Sequence, residues 1–367
     1  MIRIKDVAQR AGVSSTTVSH VLNKTRAVDP RTRSRVLAAL EELGYRPNAL
    51  ARSLRRQETL TIGIVVHDIA IPFFTSFVKY VEGVAQQAGY SVILCNSGED
   101  STRLGDLLEV LAAKRVDGLI VAPVSAEDST LVSIEKRGTP VVYLGQRPAG
   151  TTGPTVGDNS ADAAAEAVQH LIEDGHVRIG VITGRLMVPP LAERMAGYRR
   201  ALERHNLPFD ERLVRLGVIG VEHAASSMRA LLELSDPPTA VFTTNLLMTT
   251  GALSALHEAR VRCPQEMAIV GFDDHELAGI SQPPLTTVRQ HTERMATTAA
   301  QLLLECMRGK TMEGQEVVLP AELVVRGSCS ERCLEKLNSM TVSGRGSVSS
   351  QVVHAETRKL EEVVRRD

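Results

Sequence analysis

Asp273, Asp274 and His275 stand together where the apolar run Met267–Phe272 ends, and two carboxylates beside an imidazole are groups that acid–base chemistry can use. Nothing in the sequence completes a catalytic machine around them. There is no G-x-G-x-x-G, no P-loop and no G-x-S-x-G, so His275 reads as the decoration of a loop and the chain as no enzyme. Metal and disulfide chemistry fare no better. Cys95, Cys263, Cys306, Cys329 and Cys333 are odd in number and lack C-x-x-C spacing, the pattern of reduced thiols, so no metal and no cofactor is expected. A different chemistry stands near the other end. In Pro47–Gln57, PNALARSLRRQ, three arginines (Arg52, Arg55, Arg56) surround Leu50 and Leu54, a composition that suits no protein core. Residues 1–60 hold 12 Lys/Arg against 5 Asp/Glu, although the whole chain of 367 residues has a net charge of −1. A basic head on an acidic body is the asymmetry of a protein whose one end meets a polyanion.

The elements around these residues follow the same division. Ile4, Val7, Ala8 and Ala11 recur at helical spacing. Gly12 then suits a tight turn with positive φ, and Ser14 suits the N-cap of a second helix, Ser15–Asn23, with Val18, Val21 and Leu22 inward. A third helix starts at Pro30 behind Asp29 and closes at Gly44. Two helices joined by a glycine turn and braced by a third make a helix-turn-helix headpiece. With aromatics at 3% and no Trp, stacking platforms for single strands are excluded.

Beyond the arginine-rich segment the texture changes to strand–helix alternation. Apolar runs at 60–66, 91–95, 118–122, 140–144, 178–183, 240–244 and 267–271 alternate with helical stretches at 73–88, 161–173, 192–204, 223–234 and 249–258. The expected fold is α/β, with parallel sheets in two lobes, a break near Gly153–Asn159, and ligand bound at the carboxyl ends of the strands. The expected tail, 329–367, is Ser/Gly-rich and flexible. The N-terminus shows no apolar signal segment and no run is long enough to span a bilayer, so a cytoplasmic, nucleoid-associated protein without membrane contact is expected.

IKDVAQRAGVSSTTVSHVLNKT and TRSRVLAALEELGYRPNALARSL closely resemble the headpiece and hinge of the LacI/GalR repressor family. The likeness continues through VDGLIVAP, HLIEDGHVRIGVITG, RMAGYRRAL, VFTTNLLMTTGAL, AIVGFDD and PPLTTVRQ, about Ile2 to Arg326. Within the family the headpiece is most similar to the purine-repressor type. The resemblance implies a headpiece over 1–46, a hinge helix over 47–58, and a periplasmic-binding-protein-like core. That core would divide into one subdomain of 59–157 and 289–319 and another of 158–288 and 320–328.

It also implies a homodimeric repressor of transcription on a palindromic double-stranded operator. A recognition helix presents the side chains of its first turns to the major groove, here Ser15, Thr16 and His20, with Arg26 just beyond. Thr17, Ser19, Asn23 and the amide of Tyr45 fall to phosphates. In the hinge, Leu54 matches the position that wedges into the minor groove at a central C-G step, flanked by Ala51, Ser53 and Arg55. The likeness puts Arg194, Asn245 and Asp273 at the small-molecule site. Phe73 and Phe74 would form an apolar wall there, with Asp68 and Gln146 as further candidates.

Two departures bear on the effector. Gly145-Gln146-Arg147 stands where relatives often carry an Asp, and Met187–Leu191 (MVPPL) is apolar where the purine repressor reads its ligand with polar groups. The expected effector is therefore a sugar, sugar acid or related metabolite rather than a purine.

Overall fold

The computed structural model describes residues 2–23, 26–45 and 58–335. They fall into two compact units, one up to Leu60 and one from Thr61 onward. The hinge candidates Ala51, Ser53, Leu54 and Arg55 and the tail from 336 lie outside the described residues, as does the side chain of Asn23.

The first unit is three helices: α1 (Ile4–Ala11), α2 (Ser15–Asn23) and α3 (Pro30–Glu42). Gly12 closes α1 at φ +64°, a conformation that a Cβ would strain, and its amide bonds back to α1 carbonyls. Ser14 starts α2, its Oγ accepting the Thr17 amide at 3.1 Å. Asp29 starts α3 by accepting the amides of Arg31 and Thr32, both at 3.1 Å. Val7, Ala8, Ala11, Val18, Val21, Val36 and Ala39 form the buried centre where the three apolar faces meet.

The second unit contains two six-stranded sheets. The first lobe begins with β1 (Thr61–Val66), α4 (Pro72–Gln87), β2 (Ser91–Asn96) and α5 (Ser101–Ala113), and continues through β3 (Gly118–Val121), α6 (Ser129–Lys136), β4 (Val141–Leu144) and β5 (Thr155–Asp158). The chain crosses into the second lobe at α7 (Ser160–Glu173), followed by β6 (Ile179–Thr183), α8 (Pro189–Arg204), β7 (Val214–Leu216), α9 (Val221–Leu232) and β8 (Ala240–Thr243). That lobe goes on with α10 (Leu246–Ala259), β9 (Ala268–Phe272), α11 (Glu276–Ile280) and β10 (Thr286–Arg289). The chain returns to the first lobe for α12 (Thr292–Met307) and β11 (Glu316–Leu319), and ends its second-lobe sheet with β12 (Glu322–Val324).

Strand order is β11-β5-β4-β3-β1-β2 in one sheet and β12-β10-β9-β8-β6-β7 in the other. All pairings are parallel except β10 with β12. Strands β3, β4, β6, β8 and β9 are buried along their whole length, as helices on both faces require. The chain thus passes between the lobes three times, at 158–160, 289–292 and 319–322.

The structure corrects the sequence reading in two places. Thr155–Asp158 is not a break but β5, paired with β4 and β11, and the crossing follows it. Residues 329–335 are not a loose tail. Cys329 is fully buried, Cys333 packs against the core of the second lobe, and 331–335 is helical. The Ser328 hydroxyl donates to the Ile269 carbonyl at 2.7 Å and accepts the Thr286 amide at 2.8 Å, which fixes the segment to two strands.

Candidate effector cavity and DNA-reading helix

Asp273 follows directly on β9 and holds φ +73°, a strained backbone for a residue with a Cβ. Its side chain is buried. Oδ2 accepts the Leu246 amide at 3.4 Å, whereas Oδ1 has no hydrogen-bond partner and lies 3.7 Å from Nη1 of Arg194. Burial pushes the Asp273 carboxyl above the usual range, with the Arg194 charge opposing. Arg194, carried on α8, is fixed on three sides. Nη1 donates to the Thr244 carbonyl at 2.6 Å, Nε donates to Ser160 Oγ at 3.3 Å, and the guanidinium lies 3.6 Å from the centroid of the Phe272 ring. A buried arginine held this firmly is a preorganised fork with a half-satisfied carboxylate beside it.

Both groups line a cavity of about 380 Å³ bounded by residues of both lobes. Phe73, Phe74, Gln146 and Asn245 are brought to it as well. The Phe73 and Phe74 rings meet edge to face at 5.2 Å, and His67 packs edge-on against Phe74 at 5.4 Å. Desolvation lowers the His67 pKa, so the ring is neutral at pH 7, and its Nε2 meets the Pro123 carbonyl at 3.0 Å. Asn245 caps α10 by accepting the Met248 amide at 2.8 Å through Oδ1, which leaves its NH2 as the group to offer a ligand. The apolar segment before α8 contributes Val188, Pro190 and Leu191 to the wall.

Asp68 is a correction. It is exposed, absent from the cavity lining, and its Oδ1 accepts the Ala70 amide at 2.9 Å, so it shapes a turn instead. Sequence reasoning also missed Asp158, Ser160, Glu193, Gln290 and Arg147, all of which line the cavity. Asp158 is the last residue of β5, much as Asp273 directly follows β9, and its carboxylate accepts from the Ser160 hydroxyl and the Gln290 amide. Burial raises the Glu193 pKa, with the Asp158 charge adding to the effect.

The acid–base alternative does not hold in three dimensions. Asp274 is held by Arg326 at 2.8 Å, Arg289 at 2.8 Å and the Thr287 hydroxyl at 2.7 Å. Burial would raise its pKa, but these donors outweigh that and hold it below the usual range. His275 caps α11, its Nδ1 accepting the Leu277 amide at 3.3 Å. Each member of the triplet has a separate structural task.

On the headpiece, Thr16 and Arg26 are exposed, and Ser15, Thr17, Ser19 and His20 are half-buried on α2. Thr17 Oγ1 is 2.9 Å from Ser14 Oγ, inside the cap. The Tyr45 amide, which the sequence reading gave to a phosphate, instead donates to the Leu40 carbonyl at 3.0 Å and closes α3. The Tyr45 ring packs against the headpiece core.

Comparison with known proteins decides what this combination is. Residues 3–48 match the bacterial regulatory proteins of the lacI family, and residues 168–329 match the periplasmic binding protein-like domain. The HTH-type transcriptional repressor PurR of Aliivibrio salmonicida is 38% identical over 329 residues, covering 89% of this chain and 99% of the relative. The chain belongs to the lacI family. The ribose operon repressor of Escherichia coli K12 is likewise 38% identical, covering 89% of this chain and 100% of its own. The crystal structure of the lac repressor dimer bound to operator and the anti-inducer ONPF superposes with a TM-score of 0.79 at 28% identity, covering 89% of this chain and 99% of that one. LacI-family proteins are transcriptional repressors with a helix-turn-helix DNA-binding domain and an effector-binding core, not enzymes, and this chain is such a regulator. Among its described residues no helix is long and apolar enough to cross a membrane.

Proposed function

We propose that this lacI-family protein is a cytoplasmic, nucleoid-associated repressor that binds a palindromic operator as a homodimer and is controlled by a neutral sugar in the core cavity. Ser15, Thr16, His20 and Arg26 read bases in the major groove, while Thr17, Ser19 and Asn23 hold the backbone. Leu54, with Ala51, Ser53 and Arg55, enters the minor groove at a central C-G step.

The observation that carries the effector reading is the Arg194–Asp273 pair at the cavity wall, with Asp273 Oδ1 unpartnered. A hydroxyl both donates and accepts, so one sugar hydroxyl can donate to that carboxylate oxygen while accepting from a neighbouring cation or amide. The charge of the lining narrows the class. Asp158, Glu193, Asp273 and Glu316 outnumber Arg147 and Arg194, which disfavours a sugar acid or sugar phosphate. Phe73 and Phe74 offer an aromatic face to the C–H side of a sugar ring. The apolar edge Val188, Pro190 and Leu191 gives a purine few polar partners for its ring nitrogens.

Titration calorimetry with D-ribose and then a panel of neutral pentoses, hexoses and disaccharides tests this. One sugar is expected to bind, and Asp273→Ala to weaken it by at least tenfold while operator binding persists. Binding of purine bases but no sugar would overturn the effector class. Undiminished sugar affinity in the variant would remove Asp273 from the site.

A further inference from the structure

A second constellation of polar groups lies in the second lobe, built from residues that the effector cavity does not use. His170 sits near the end of α7 and Asp174 follows one turn later as the C-cap, so the two side chains share a face. Cys329 and Cys333 are also four residues apart, in the segment that anchors to β9 and β10. The two pairs converge. His170 Nε2 is 3.2 Å from Cys329 Sγ, 3.9 Å from Cys333 Sγ and 3.5 Å from Asp174 Oδ2, and Cys333 Sγ is 3.6 Å from Asp174 Oδ2. All four donor atoms lie within 4.8 Å of one another. Four ligand atoms around a tetrahedral ion with bonds of about 2.0–2.3 Å stand about 3.3–3.8 Å apart, and the measured separations cluster about that spacing.

We propose that His170, Asp174, Cys329 and Cys333 form a structural binding site for one zinc-class divalent cation. The donor set is two sulfurs, one imidazole nitrogen and one carboxylate oxygen, which favours Zn²⁺ over the hard cations Mg²⁺ and Ca²⁺. Four protein donors fill a tetrahedron and leave no position open for water, so the site holds structure and performs no chemistry. Burial disfavours a free thiolate at Cys329, and one neighbouring hydroxyl opposes that cost. Thr286 Oγ1 accepts the Arg326 amide at 2.8 Å, which frees its own hydrogen to donate to Cys329 Sγ at 3.2 Å. On binding, each thiol loses one proton to solvent, and two thiolates, one carboxylate and the dication leave a net charge of −1. The ion joins the chain segment after Gly327 to α7, and its binding free energy adds to that of the folded lobe. The sequence pattern hid this site because its ligands come as two pairs far apart, neither with C-x-x-C spacing.

The test uses the full chain without a histidine tag, purified under reducing conditions with Zn²⁺ and dialysed. One zinc per chain by mass spectrometry of the elements is expected. Replacement by Co²⁺ should give a thiolate-to-cobalt charge-transfer band, and chelation should lower the Tm. Cys333→Ser and Asp174→Asn should weaken Co²⁺ binding by roughly tenfold or more. Cys95→Ser, far from the cluster in sequence, should retain full stoichiometry. Absence of zinc and of the cobalt band in the wild-type chain would overturn the proposal whatever the variants do. So would a Co²⁺ affinity and band intensity unchanged in Cys333→Ser, or a Cys329–Cys333 disulfide in the freshly purified protein.

Discussion

Asp273 combines three conditions that rarely coincide: burial, a positive φ and one unpartnered carboxylate oxygen. A buried carboxylate oxygen without a hydrogen-bond partner is costly, and its position at a strand end facing a cavity is what supports the proposed ligand contact. The same burial sets a pH dependence. Asp273 and Glu193 are both pushed above the ordinary carboxylate value of about 4. An ionised carboxylate accepts a hydroxyl hydrogen bond more strongly than a carboxylic acid does, so on the proposed reading lowering the pH protonates these two first and weakens the effector while exposed carboxylates stay charged. Calorimetry between pH 7.5 and 5 should show affinity falling with pH, and a smaller fall in Asp273→Asn; a flat profile would show that neither carboxylate accepts from the ligand. On the headpiece, Thr16→Ala and His20→Ala should each cost about 1–3 kcal/mol on the operator and relax preference at one base pair per half-site. Equal weakening on operator and random DNA would reduce them to phosphate contacts. At this scale the sequence was legible only where a motif was local. Arg194 and Asp273 were found by resemblance, whereas Glu193, next to Arg194, and Gln290, at the end of PPLTTVRQ, carry no feature of residue type or spacing that marks them as facing a cavity.

Among the elements, those buried on both faces announced themselves as unbroken apolar runs, and β1, β3, β4, β6, β8 and β9 fall within a residue or two of the expected stretches. The elements that were missed have identifiable physics. TVGD at β5 is four residues with a glycine and a terminal carboxylate, TTVR at β10 has one apolar residue in four, and β12 is an edge strand of three residues. Helix α12 buries Met295, Ala296, Ala299, Ala300 and Leu303 at the spacing of a one-sided stripe, a periodic signal that the sequence reading left unused. Because TVGD does not read as a strand, nothing in the sequence marks Asp158 as a carboxylate at a strand end. Helix packing supplies its own prediction. Gly197 lets α8 press against α7, since a methyl there would collide with the Ala161 carbonyl. Gly197→Ala should therefore destabilise the core by about 1–3 kcal/mol in urea unfolding and shift α8, weakening sugar binding through Arg194. A variant as stable as the parent and with unaltered affinity would show that the two helices can separate at no cost.

For the whole molecule, the charge division that appeared in the first count of residues is the functional division. The cationic end carries the helix-turn-helix, and the acidic remainder carries a cavity whose lining has more carboxylates than cations, which is the basis for proposing an uncharged guest. Regulation requires that the guest bind the operator-competent and operator-incompetent states of one chain unequally, with a coupling of about 1–3 kcal/mol typical of such linkage. Fluorescence anisotropy of a labelled palindromic operator with a central C-G step, titrated with the full chain at fixed salt with and without the sugar identified by calorimetry, measures that coupling directly. The expected result is tight binding to the operator over a scrambled duplex, an affinity changed about 5–150-fold by the sugar, and the same operator binding but no sugar response in Asp273→Ala. Equal affinity for operator and scrambled DNA, or an operator affinity indifferent to the sugar that occupies the cavity, would contradict the account.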